Sequence, residues 1–279
     1  VAQKWRNYKK HPLSLFLLIS VILAAAVTIF VLVSIVGYIL VKGIPNLKPS
    51  LFAFKYTSEN VSMMPAIVNT LTVTVVSLLI SVPLGIFSAV YLVEYAKRGN
   101  KLVKLVRLTA ETLAGIPSIV YGLFGFLVFV IRFGSNQSLL AGALTLSIMV
   151  LPTIMRTTEE AIKAVPDAYR EGSFGLGAGR LRTVFRIILP SAMQGILAGV
   201  ILSIGRIVGE TAALLFTAGT ATGIPDSLMG SGRTLSIHMY VLASEGMHVG
   251  EAYATAVVLL VFVVAVNALS AGIAKKIGR

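Results

Sequence analysis

Apolar residues in this chain gather into six long segments, near 13–41, 66–96, 105–131, 138–155, 191–218 and 250–274. A helix rises ~1.5 Å per residue and bilayer hydrocarbon is ~30 Å thick, so ~20 mostly apolar residues suffice to cross it. Each segment meets that requirement, with 138–155 near the lower limit. The first is too long for the apolar region of a cleavable signal peptide, so it is read as an uncleaved anchor despite Ala24-Ala25-Ala26. The pattern predicts an all-α integral membrane protein with about six transmembrane helices. An N-terminal anchor helix and external loop (1–65) are expected to precede a core of spans (66–279).

Composition agrees. Of 279 residues, 56% are hydrophobic and 13% charged, and the mean hydropathy is +0.89. A water-soluble domain carries about a quarter charged residues. The net charge of +13 would ordinarily raise the question of nucleic acid. Here the 24 basic residues sit in short blocks between apolar segments, so they report topology and no nucleic-acid partner is expected. One side collects Lys4, Arg6, Lys9 and Lys10, then Lys97, Arg98, Lys101, Lys104 and Arg107. It also takes Arg156, Lys163, Arg170, Arg180, Arg182 and Arg186, and finally Lys275, Lys276 and Arg279. The other side has Lys42, Lys48, Lys55, Arg132 and Arg233. This asymmetry predicts six spans with both termini in the cytoplasm.

Two connections are longer than turns require. The external stretch 219–249 is rich in Gly and Ser, and is either a contact for another protein or a spacer. The internal stretch 156–190 is charged and predicts two helical pieces. Pro166 and Asp167 suit the start of the first, where a missing N–H costs nothing and a carboxylate meets the positive helix end. Gly177 and Gly179 suit its end. A second piece, Arg180–Ile188, leads through Pro190 into the fifth span.

Within that internal stretch stand Glu171-Gly172-Ser173, then Gly177, then Ile187, Leu189 and Pro190. The spacing resembles the cytoplasmic loop of ABC-importer permeases, Glu-Ala-Ala, three residues, Gly, nine residues, Ile-x-Leu-Pro, with Gly172 and Ser173 in place of the alanines. Small residues at Ala168, Gly172 and Ser173 would let a short helix sit in a groove of another protein, although Gly for Ala weakens the helix by ~1 kcal/mol. The alternative is an amphipathic loop resting on the membrane surface.

Three further stretches narrow the resemblance. They are Asn69-Thr70-Leu71, Gly115-Ile116-Pro117-Ser118-Ile119-Val120-Tyr121-Gly122, and Gly209-Glu210-Thr211-Ala212-Ala213-Leu214-Leu215-Phe216-Thr217-Ala218. Together they look like the PstA-type permease subunits of phosphate ABC importers, over nearly all of 60–275. The resemblance implies a type I importer (MetI-like) permease fold in a bacterial or archaeal cytoplasmic membrane. It implies a heterodimer with a PstC-type permease subunit, two cytoplasmic ATP-binding subunits and an external phosphate-binding protein. It also implies that Ala168, Glu171, Gly172, Ser173 and Gly177 belong to the coupling helix that docks on the ATPase.

Arg206 and Glu210 lie near the centre of the fifth span. An ionisable group at bilayer centre costs ~2.5–3.5 kcal/mol and needs a partner or water. Their i, i+4 spacing would let the two pair. Either the pair only fixes packing, or Arg206 offers its planar donors to a crossing oxyanion while Glu210 holds it in place. Thr70, Thr74, Ser77, Ser81 and Ser88 recur on one face of the second span, as hydroxyls lining a path or as small residues at a helix contact. Gly195, Gly199, Gly205 and Gly209 read as packing positions.

No Gly-x4-Gly-Lys-Ser/Thr loop occurs, so ATP hydrolysis is expected in a partner chain. Gly175-Leu176-Gly177-Ala178-Gly179 follows a predicted helix, which argues against a dinucleotide loop. His11, His238 and His248 are far apart, and there are no cysteines, so neither metal nor cofactor is expected. The rival readings are a permease for molybdate or sulfate, an ion-coupled secondary transporter using Arg206 and Glu210 as a relay, and a membrane scaffold.

Overall fold

A computed structural model describes residues 12–97, 99–134 and 136–277, all helices and connections. The basic residues Lys4, Arg6, Lys9, Lys10, Arg98 and Arg279, with His11, lie outside the described residues, as do the side chains of Lys275 and Lys276. The chain begins with α1 (Pro12–Gly43), α2 (Met64–Val90, continued by a wider π turn at Tyr91–Tyr95), α3 (Lys101–Ala114) and α4 (Ser118–Gly125, with a π turn at Phe126–Arg132). It continues through α5 (Leu139–Lys163), α6 (Asp167–Gly175), α7 (Arg180–Thr183), α8 (Leu189–Val208), α9 (Ala212–Thr217), α10 (Leu235–Glu245) and α11 (Val249–Ile277). Five helical stretches are long and apolar enough to cross a membrane, and a sixth exists if α3 and α4 count as one.

The sequence pattern located the spans but not their breaks. The expected third span, 105–131, is bent by 104° between α3 and α4. Pro117 removes an N–H and disfavours helical geometry at Ile116, and the helix breaks there. The expected fifth span, 191–218, is displaced in the opposite sense. Helix runs from Arg180 to Val208 without stopping at Pro190, because a π turn at Val184–Ile188 absorbs the missing hydrogen bond. Its last residue is Val208, ten residues before the apolar run ends.

Depth within the bundle sorts the helices. Of the most apolar stretch of α5, 67% is buried, against 17% for α11 and 0% for α1. Leu146, Met149, Val150 and Ile154 of α5 therefore form the centre, with Val73 of α2, Tyr121 of α4, Ile207 of α8 and Leu214 of α9 against them. Glycines permit the close approaches. A methyl group on Gly122 of α4 would stand 2.7 Å from the Ala213 Cα, and one on Gly195 of α8 would stand 2.6 Å from the Ala161 Cβ. At the far edge, α1 touches α11 through Tyr38 and Tyr253, ring edge to face at 5.8 Å.

The stretch 219–249 is structured. Its first part folds over the start of α5, where Leu139 and Leu140 donate their N–H groups to the carbonyls of Gly230 and Leu228. These are N–H groups that a helix cannot satisfy internally. Its second part is α10, whose Leu235, Ile237 and Leu242 are buried. His238 is buried there as well. Desolvation, with the Arg233 cation beside it, pushes its pKa down to about 3, so it is neutral under ordinary conditions.

The glycine contacts give a stability test. Gly122→Leu is expected to lower the melting temperature in detergent by the equivalent of about 1–3 kcal/mol, through overpacking against α9. Gly37→Ala, where nothing lies within 4 Å, is expected to leave it unchanged. Equal melting temperatures for the two variants would show that the α4–α9 contact does not limit stability.

Candidate functional site

Arg206 occupies the last turn of α8. Because that helix stops at Val208, Glu210 does not share its face, and the expected i, i+4 pair is not formed. Glu210 is instead buried at the break between α8 and α9. Its Oε1 accepts from the Ala213 N–H at 3.0 Å, and its carbonyl accepts from the Ser236 hydroxyl at 2.6 Å. The carboxylate thus caps α9, where it meets the positive helix end. Among the described residues no carboxylate lies within ion-pair distance of Arg206.

The partly exposed Arg206 side chain lines a cavity of about 640 Å³ bounded by α5, α8 and α11. The other lining residues are Thr153, Ala198, Ile201, Leu202, Gly205 and Asn267, so Arg206 is its one charged group. A cation in apolar walls without a counter-ion concentrates positive potential in the cavity. The cavity is therefore suited to a small anion. Thr153 and Asn267 were not anticipated. Asn267 was legible as a lone amide within a run of apolar residues, but an amide carries no charge to draw attention.

The hydroxyl face of α2 lies elsewhere. Thr70, Thr74, Ser77 and Ser81 are all buried, and none lines the Arg206 cavity. Ser77 donates to the Ala143 carbonyl of α5 at 3.1 Å, and Ser147 of α5 donates back to the Ser77 carbonyl at 3.1 Å. Thr74 and Ser81 bond the carbonyls of Thr70 and Ser77 one turn earlier. Thr70 accepts from the Leu235 N–H at 2.8 Å and so caps α10. Its neighbour Asn69 donates to the carbonyls of Gly223 and Arg233. The structure makes this face a helix seam and a fastening for the segment 219–235.

The internal loop carries a second site. Helix α6 starts after Pro166 and ends as expected at Gly177, which takes the left-handed φ of +82°. Ala168, Glu171 and Gly172 are exposed, together with Tyr169, Phe174 and Leu176. Leu176 is 91% exposed, which puts apolar side chains on a loop between the long apolar helices and makes it a candidate contact surface. Ser173 instead faces inward, and its hydroxyl meets that of Thr183 at 2.8 Å. Arg170 fastens the helix. Its guanidinium bonds Glu94, in the π turn that ends α2, through Nε at 3.1 Å and Nη2 at 2.8 Å. It also donates to the carbonyls of Ile162 and Val165 and to Asp167. Displacing α6 therefore pulls directly on α2 and on the end of α5.

Residues 81–279 match the family described as "Binding-protein-dependent transport system inner membrane component". The chain is 34% identical over 245 residues to "Probable ABC transporter permease protein YqgI" of Bacillus subtilis, spanning 81% of each protein. It is 36% identical over 249 residues to "Phosphate transport system permease protein PstA" of Pasteurella multocida, spanning 88% of each. Among solved structures, a bacterial alginate ABC transporter in complex with a pentasaccharide-bound periplasmic protein aligns with a TM-score of 0.71. That alignment covers 99% of this chain and 98% of the other at 17% identity. The MetNI methionine ABC transporter in an inward-facing conformation aligns with a TM-score of 0.60 over 88% and 98% at 19% identity. At these identities the likeness establishes the fold.

The Arg170 fastening predicts a local effect. Replacing Arg170 with Leu is expected to raise hydrogen–deuterium exchange of the 167–176 amides about tenfold or more, the loss of charged hydrogen bonds to Glu94. Exchange in the centre of α5 should not change. Unaltered exchange in α6 would show that the Arg170 contacts do not hold it.

Proposed function

The chain belongs to the binding-protein-dependent transport system inner membrane components, and from that premise we propose that it is the PstA-type permease subunit of an ATP-driven phosphate importer. The observation that carries the anion reading is Arg206, a cation without a carboxylate partner among the described residues, in a cavity whose walls are otherwise uncharged. Phosphate relatives across most of the chain supply the choice of anion.

In this reading the pathway lies between this chain and a PstC-type partner permease, with the Arg206 cavity facing it. An external binding protein delivers phosphate, and the arginine replaces part of its hydration shell with planar donors. Leaving Glu210 committed to α9 keeps the guanidinium available. Two cytoplasmic ATP-binding subunits grip α6 through Ala168, Glu171, Gly172 and the exposed Tyr169, Phe174 and Leu176. Closure of those subunits on ATP moves α6, and Arg170–Glu94 passes the movement to α2. The basic blocks at the N-terminus, 97–107, 156–186 and the tail put both termini in the cytoplasm.

The test is uptake of labelled phosphate by the four-component complex in vesicles, with and without ATP. The unmodified chain is expected to need ATP, and Arg206→Gln is expected to reduce uptake at least tenfold while still assembling, since one charged hydrogen-bonding partner of the anion is lost. Entry of phosphate without ATP would sink the importer reading. Full activity of the Arg206→Gln complex would make the arginine structural.

A further inference from the structure

Asn267 is the other strongly polar side chain in the Arg206 cavity. It lies on α11 within Val263-Val264-Ala265-Val266-Asn267-Ala268-Leu269, where an amide gains nothing from lipid. Most polar side chains of the bundle have a hydrogen-bond partner that explains them, as Ser77, Ser147, Thr70 and Asn69 do. Asn267 has none. Its Oδ1 is shielded from solvent and makes no hydrogen bond among the described residues. Its Nδ2 faces Gly205, the residue beside Arg206, at a place where an added methyl group would stand 4.0 Å away. Glycine therefore leaves open the space between α8 and the amide, and no side chain fills it.

An amide oxygen shielded from water and left without a donor is costly, so it calls for a group that arrives from outside the chain. Arg206 beside it restricts that group to an anion. An amide offers both a donor and an acceptor, and with neither end tied it can turn either toward the cavity. Hydrogen phosphate is complementary to both, since it carries P–O⁻ acceptors and a P–OH donor, whereas a fully ionised oxyanion such as sulfate only accepts. We infer that Asn267 is a second ligand of the transported anion, completing the site that Arg206 begins and orienting a protonated oxyanion within it. This rests on the phosphate-permease reading.

The experiment uses the assembled complex and scores phosphate uptake and binding-protein-stimulated ATP hydrolysis side by side. Asn267→Leu keeps the volume and suits lipid, so the helix stays intact while the amide is removed. Asn267→Gln keeps the amide. The Leu variant is expected to lose about tenfold in uptake while ATP hydrolysis persists, and the Gln variant to recover most of that loss. A ligand role lowers the phosphate moved per ATP hydrolysed, whereas a packing role lowers both rates together. Parallel loss of both activities, or no recovery with Gln, would overturn the inference. So would normal uptake by the Leu variant when Arg206→Gln is inactive, and that result would leave the phosphate reading standing. If the unmodified complex moves no phosphate, the functional reading itself fails.

Discussion

A backbone N–H or C=O that loses its helical partner inside a membrane protein has no water to turn to, and another group must satisfy it. Much of this structure follows from where the chain breaks its helices and what it sends to the break. At Gly209–Thr211 the partner is Glu210, bonded to the Ala213 N–H, with the Ser236 hydroxyl on its carbonyl. At the end of α3 the Tyr121 hydroxyl bonds the Leu113 carbonyl at 2.8 Å. At the start of α10 Thr70 receives the Leu235 N–H, and after α5 Arg170 takes the Ile162 and Val165 carbonyls.

This requirement reassigns polar residues that look functional. A carboxylate one turn from an arginine is an ion pair only if the helix continues between them, and here Gly209 ends it. A row of hydroxyls along α2 is a path only if it faces open space, and here it faces α5. The residues left without such work are the informative ones. Arg206 and Asn267 come from different helices, have no partner for their charge or amide among the described residues, and line the same cavity. Their isolation distinguishes them from polar groups engaged in holding the bundle together.

The contact surface and the cavity sit at different depths, and the intervening structure is stiff. Helix α6 is tied to the end of α2 through Arg170 and Glu94, and α2 is sewn to α5 by reciprocal serine bonds. Helix α5 meets α8 where Gly195 and Gly199 let Ala161 and Thr157 approach, on the same helical face as Arg206. A push on α6 therefore has a continuous packed route to the cavity wall. Such a route is what a fold needs to convert work done on one surface into a change of access at another.

The sequence by itself determined that the chain is a membrane bundle and roughly where its spans lie, and it singled out one connecting loop by its spacing of small residues. Those properties depend on the length of apolar runs, the distribution of basic residues and the spacing of a few small residues along one helix, all of them local. It also identified Arg206 from the cost of a charge at that depth. Tertiary structure decided the rest. The bond from Ser236 to the Glu210 carbonyl, the seam that Ser77 makes with Ala143 and Ser147, and the meeting of Asn267 with Arg206 each join residues distant in the chain. Hydropathy measures whether a segment prefers lipid to water. It carries no information about which neighbouring backbone group a polar side chain will satisfy, because that is set by the packing of helices against one another.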